Sequence, residues 1–312
     1  MTVDTDADET LARHAAEHHG VFRGAHARMA GLTERQIERR ILDLRWLRLY
    51  RDVYRLHGAP ATWEGDLLAA CWAGGFRAVA SHRSAAELHQ MPGRKREFVE
   101  IVCPRWRRSH AERVIAHETK RLDRIDITVV DGITATTPVR TLFDLCSVYR
   151  DGMVEIIFEH GLRRGLFAEC EVASIVKRLS RPGRPGGPVL RGLLARRDPS
   201  RRPTESEMET VLVQVLRAAG LPAPVVQHEI WVGGELVARV DAAYPAERIA
   251  IEYDSDEFHT GRAAVRRDRG RRHRLLASGW ITVDVGPTEL RNRSAQVCSA
   301  IANALRERRR AA

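Results

Sequence analysis

Asp241 and Glu252 are the two residues of this sequence best placed to do chemistry together. Each lies in an alternating run, LVARVDAAY (236–244) and IAIEYD (249–254), and the short loop PAER joins the runs. Such a pattern predicts a β-hairpin. Side chains alternate between the faces of a strand. Val237, Arg239 and Asp241 therefore share one face of the first run, and Ala250, Glu252 and Asp254 share one face of the second. If Tyr244 pairs with Ile249, Asp241 falls opposite Glu252 and Arg239 opposite Asp254. Directly opposed carboxylates repel, and a hard divalent cation is what an oxygen pair of this kind accommodates. A slip of one residue would separate them.

The elements around this hairpin must position it. Thr204 followed by Glu207 is a capping box for a helix that runs to Ala219 and stops at Gly220, with Glu209 in its first turns. Val225 to Val232 reads as a strand, and Gly233-Gly234 turns it into the hairpin. A loop containing Asp256 and His259 follows. The next helix, about Arg262 to Ala277, carries Arg262, Arg266, Arg267 and Arg271, enough cationic groups for several phosphate contacts. Trp280 to Val285 is an alternating strand, Pro287 to Leu290 a turn, and a last helix starts near Ser294. The expected order is α-β-β-β-α-β-α, with a right-handed crossover between the parallel strands of Glu252 and Trp280.

Upstream, RPGRPGGP (181–188) and the stretch 196–203 are Pro-, Gly- and Arg-rich and read as a linker, with a short helix over Val189 to Ala195. Residues 61–180 read as an α+β domain. Its elements are a helix over Trp63 to Ala73, strands near Phe76–Ala80, Phe98–Val102, Ile125–Val130 and Ile133–Thr136, and helical sequence over 151–180. His82, His89, His110 and His117 show no metal-ligand spacing, so no metal is expected there, and Ser81-His82 is no nucleophile elbow.

Residues 1–8 read as disordered, and a helix follows over 9–19. After Val21-Phe22 and a short helix from Gly24, Thr33 with Gln36 makes a capping box for a helix to about Leu44. WLRLYRDVYRL then reads as a two-stranded wing. This is the order of a winged helix-turn-helix over residues 1–60. Arg35, Gln36, Arg39 and Arg40 are its candidate major-groove contacts, and Arg48 and Arg51 its candidate phosphate contacts.

Composition agrees with a polyanionic partner. Net charge is +10, and all basic residues except Lys95, Lys120 and Lys177 are arginine. Arginine-favouring codon bias is the other source of such an excess. The five cysteines form no CxxC pair, which argues against a zinc or disulfide framework and fits a cytoplasmic protein. The acidic start has no apolar core of a signal peptide, and no run of about 18 apolar residues predicts a membrane span.

Two resemblances extend this reading. GLTERQIERRI with LRLYRDVYRL, continuing through SHRSAAELHQMPG and GITATTPVRTLFDLC, resembles the AbiEi-type antitoxin family, which implies a DNA-binding autorepressor with a cognate toxin as partner. ESEMETVLVQVLRAAGLPAP, ARVDAAYP, IAIEYDSDEFH and RRDRGRRHRLLASGW resemble PD-(D/E)XK nucleases, closest to the branch similar to very-short-patch-repair (Vsr) endonucleases. That implies a restriction-endonuclease-like α/β domain over 204–312 and Mg2+-dependent hydrolysis of DNA phosphodiesters. Residue by residue, Asp241 matches the first metal-binding carboxylate and Glu252 the acid of the second motif. Glu209 matches the helix-borne acid, and His259 the histidine near the scissile phosphate. Asp254 stands where the wider family has lysine, which leaves an inactive nuclease fold as the alternative.

Overall fold

The computed structural model describes residues 2–106, 113–197, 204, 206–253 and 262–311. It divides into two compact units. The first comprises residues 1–150 and 166–191, the second residues 151–165 and 192–312. Both are mixed α/β.

The first unit opens with α1 (Thr2–Glu17), β1 (Val21–Arg23), α2 (Gly24–Met29), α3 (Glu34–Leu42), β2 (Trp46–Tyr50) and β3 (Val53–Leu56). The strands form an antiparallel sheet in the order β1-β3-β2. The expected disorder of residues 1–8 is not found, because helix begins at Thr2. Ala7, Leu11 and Ala15 recur at helical spacing and are buried with Phe22, Ile37 and Trp46. Asp8 gains Arg40 and Arg45 as ion-pair partners. The acidic stretch is thus drawn into structure by an apolar stripe and by two guanidinium groups. The Thr33 cap forms as its sequence requires. The Thr33 hydroxyl accepts from the Gln36 N–H, and the Gln36 side chain accepts from the Thr33 N–H at 2.9 Å.

The chain continues through α4 (Trp63–Gly74), β4 (Val79–Ala80), α5 (His82–Leu88), β5 (Val99–Cys103), β6 (Val114–Glu118), β7 (Ile127–Val130), β8 (Ile133–Thr136) and α6 (Pro138–Leu145). A five-stranded mixed sheet has the order β6-β5-β4-β8-β7. The boundary expected near residue 60 does not divide the core. Val21 and Val53 of the small sheet pack in one cluster with Leu67 and Leu68 of α4 and Ile101 of β5. The strand expected from Phe76 shortens to Val79–Ala80, and Phe76 is exposed. β6 was not foreseen at all.

Of the helical stretch expected over 151–180, α7 (Asp151–Arg163) belongs to the second unit and α8 (Glu169–Leu179) to the first. α9 (Gly186–Arg196) is longer than the short helix expected, and the approach of Gly186 to Phe143 leaves no room there for a Cβ.

The second unit contains α7 with α10 (Glu207–Ala218), β9 (Val225–Val232), β10 (Glu235–Tyr244), β11 (Ile249–Tyr253), α11 (Arg262–Ala277), β12 (Ile281–Val285), α12 (Pro287–Asn292) and α13 (Ser294–Ala311). Its sheet has the order β12-β11-β10-β9, with β11 and β12 parallel. The cap of α10 is Ser206, not Thr204. The Thr204 hydroxyl instead pairs with that of Thr210 at 2.7 Å in the interior. Ile249 and Ile251 face Leu212 and Leu216 of α10, with Ile301 of α13. Ala250 faces the other way, towards Leu275 of α11. The sheet is therefore covered by α10, α12 and α13 on one face and by α11 on the other.

Candidate functional site

The hairpin pairs in the register supposed for it: Tyr244 opposite Ile249, Ala243 opposite Ala250, Ala242 opposite Ile251. The next positions along are Asp241 and Glu252. Glu252 is in turn directly across from Asp284 in the parallel ladder. Alternation on β10 breaks at Asp241. Val240 belongs to the cluster under α11 and Ala242 to the opposite one. Across from Asp241, Gln227 of β9 takes φ 51, a left-handed value unusual for a strand residue. The Asp241 carboxylate accepts the Tyr253 N–H at 2.7 Å and lies 3.5 Å from the Gln227 amide nitrogen.

Glu252 lies on the α11 face. Arg271 grips both its oxygens, at 2.8 and 2.7 Å, and the neighbouring Arg272 reaches Asp284 at 3.0 Å. Burial pushes the Glu252 carboxyl above its usual range. Arg271 opposes that rise without cancelling it, and the charges of Asp284 and Asp241 add to it. The repulsion expected of the hairpin is thus present, and two arginines of α11 partly offset it. Asp284 was not singled out from sequence. Its place in an alternating strand was visible, but the parallel register that sets it beside Glu252 was not.

The other expected residues are distributed as follows. Glu209 is buried in the first turn of α10, the helix on the face opposite to α11. Asp254 and His259 lie outside the described residues, as does Asp256. Arg262, Arg266 and Arg267 belong to the α11 backbone, and their side chains lie outside those described. On the first unit, Arg35 and Arg51 are exposed. Arg39 lies 3.6 Å from Asp43, and Arg48 pairs with Glu38 at 2.6 Å. Gln36 is engaged in the Thr33 cap. Arg40 requires a correction. It is 3% exposed, bonded to Asp8 and stacked near Trp46, so it ties α3 to α1 and presents nothing to a groove.

A second group was not expected. Among the described residues, His82, Glu100 and His117 are the one set of three or more whose ligand atoms all lie within 4.8 Å of one another. His82 begins α5, and Glu100 and His117 face the same side of the parallel pair β5 and β6. His117 Nε2 is 3.0 Å from a Glu100 oxygen, and Arg83 holds the other oxygen. The His82 ring stacks on that of His117, with centroids 3.5 Å apart, and its Nδ1 is 2.9 Å from the Ser81 hydroxyl. Burial, with the nearby His117, Arg140 and Arg83 charges, holds His82 well below its ordinary pKa and therefore neutral. The spacing of the histidines gave no sign of this, because the third member is a glutamate on a strand and strand pairing assembles the set. His89 is apart from it, bonded to the Thr136 carbonyl at 2.7 Å.

No family model matches the chain. Two proteins of Mycobacterium tuberculosis are similar to it: the uncharacterized protein MT2308 of strain CDC 1551 / Oshkosh and the uncharacterized protein Rv2248 of strain ATCC 25618 / H37Rv. Each is 29% identical over 280 residues, spanning 88% of this chain and 97% of the relative. That span is more than either unit contributes, so the similarity runs through both. Among the described residues no helix is long and apolar enough to cross a membrane.

Proposed function

We propose that the chain is a DNA-binding protein whose second unit is a Vsr-like, PD-(D/E)XK-type nuclease domain that hydrolyses phosphodiesters with a divalent metal. The observation that carries this reading is the placement of Asp241, Glu252 and Asp284 at neighbouring positions of adjacent strands beside the arginine-rich helix α11, although their oxygens do not converge as the ligand atoms of His82, Glu100 and His117 do. The donor set fits a hard ion. It offers carboxylate oxygens, the donors a hard ion takes. Asp241 and Glu252 would hold Mg2+ or Mn2+, which when bound polarises a phosphoryl oxygen and lowers the pKa of water. Arg271 would exchange its carboxylate partner for a phosphate, a ligand its planar fork matches equally well. The order α1-β1-α2-α3-β2-β3, with β3 central in its sheet, supports a winged helix in the first unit, with Arg35, Arg39, Arg48 and Arg51 as its cations.

A second reading has its own observation. The bidentate hold of Arg271 on Glu252 is what a catalytically inactive nuclease fold would need to keep its carboxylates quiet. The protein would then be an antitoxin-type regulator using this unit to clamp nucleic acid. Incubation with plasmid, linear and single-stranded DNA in Mg2+ and Mn2+, beside Asp241→Ala and Glu252→Ala, separates the two. Metal-dependent cleavage lost in both variants supports the nuclease. Promoter-site binding that ignores both substitutions, without cleavage, supports the regulator and ends the nuclease reading.

A further inference from the structure

The first unit contains a donor set that the nuclease reading does not use. His82, Glu100 and His117 come from the start of α5 and from β5 and β6, yet their ligand atoms converge within 4.8 Å. His82 and Glu100 are almost fully buried, and His117 is a quarter exposed on its side chain. Their supports are already in place. Ser81 engages Nδ1 of His82 and leaves Nε2 for another partner. Arg83 fixes one Glu100 oxygen and leaves the second towards His117. The Ser84 hydroxyl accepts the Glu100 N–H at 2.8 Å and anchors that strand position. His82 takes φ 49, a left-handed value rare for a residue with a Cβ, which brings its ring over His117. Ligands oriented by outer hydrogen bonds in this way are the usual construction of a metal site.

We propose that His82, Glu100 and His117 form a binding site for a divalent transition ion of the Zn2+ class, with the fourth position open to water or an anion. Two imidazoles and one carboxylate are a donor set of that class. Arg83 already neutralises Glu100, so the site lacks the surplus of carboxylates that Mg2+ or Ca2+ requires. The 3.0 Å between His117 Nε2 and the Glu100 oxygen is near the separation of two ligands on one tetrahedral ion, about 3.3 Å for bonds of about 2.0 Å. The rings lie 19° from parallel, so one ion cannot lie in both ring planes while they stack. Binding therefore tilts His117, the more exposed ring, out of the stack and replaces its hydrogen bond to Glu100. The site is independent of Asp241 and Glu252, which belong to the other unit.

The test uses the full chain without a histidine tag, stripped by a chelator and titrated with Co2+ and then Zn2+. With excess Mg2+ present to fill any site at Asp241 and Glu252, the expected result is one equivalent of Co2+ with intense visible ligand-field bands, displaced by Zn2+. His117→Ala should abolish the bands. Ser81→Ala, which removes a support and no ligand, should weaken affinity about 10–100-fold. Glu252→Gln should leave the bands unchanged. Absence of bands in the unaltered protein overturns the proposal whatever the variants do. So does their persistence in a folded His117→Ala protein, or their loss in Glu252→Gln.

Discussion

Glu100 and Glu252 are both largely buried glutamates on strands, and both are held by an arginine, yet their surroundings differ in kind. Around Glu100 the remaining neighbours are imidazoles, of which His82 stays neutral. Around Glu252 they are carboxylates, Asp284 and Asp241, and its own carboxyl is pushed upward. The same residue type thus sits among imidazoles in one unit and among carboxylates in the other. The neighbours, not the glutamate, set the chemistry.

In the first unit Arg140 is buried together with two carboxylates. It is 1% exposed and bonded to Asp126 at 2.9 Å and to Asp144 at 3.0 Å. Burial alone would raise the Asp126 carboxyl, but Arg178 and Arg140 together hold it low. Arg140→Met removes the hydrogen-bonded arginine of Asp144, while Asp126 keeps Arg178, and should cost about 3–5 kcal/mol in urea denaturation. A loss under about 1 kcal/mol would show that this network relaxes to water.

The paired substitutions come next. Glu100→Gln leaves Arg83 and His117 facing an amide in the interior and should destabilise by about 1.5–3 kcal/mol. Glu252→Gln removes a charge that its surroundings already disfavour, and relieves Asp284 and Asp241 as it frees Arg271. Its effect on stability should stay within about 1 kcal/mol. Equal losses in the two variants would break the distinction drawn between the sites.

That distinction was half legible in the sequence. Alternation over 236–253 marked the two strands of the hairpin, and the Tyr244–Ile249 pairing supposed for them is the one found. The Thr33–Gln36 cap was equally local. What escaped depended on pairings between distant segments. β6 carries VIAHE, with little alternation, so nothing in it announced that His117 would meet Glu100. Asp284 needed the parallel register of β12. A helix after residue 8 was legible, but its extension back to Thr2 depended on Asp8 meeting Arg40 and Arg45. α7 shares the helical pattern of α8 but packs on α10, where Arg217 pairs with Glu155 at 2.6 Å.

Acid should separate the units by sign. In the first, burial and the charges of His14, Arg23 and His18 push His26 down to about 4 from the usual 6.5. The unfolded chain then protonates first, so stability is full above about pH 6.5 and falls as pH drops towards 4. His14 is shifted the same way. The raised Glu252 does the reverse: its folded state binds the proton more tightly, so its contribution improves as pH falls through its folded value. Urea denaturation at several pH values, followed by pulse proteolysis with fragments assigned to each unit, reads both. A first unit whose stability is flat between pH 6.5 and 4 would contradict the burial of His26.

The smallest effect tests neighbours within one helix. Arg39 and Arg40 are adjacent on α3, yet Arg39 is exposed and Arg40 is enclosed by Asp8 and Trp46. If α3 lies against DNA, each exposed arginine on a phosphate releases counterions, and the slope of log K against log salt should shrink by about 0.9 in Arg39→Ala or Arg35→Ala. Arg40→Ala should leave that slope unchanged and lower the unfolding midpoint instead, because what it loses is the tie between α3 and α1. A changed salt slope in Arg40→Ala with an unchanged midpoint would mean that Arg40 leaves Asp8 for DNA, and that the acidic end of α1 acts as an occupant of the binding face.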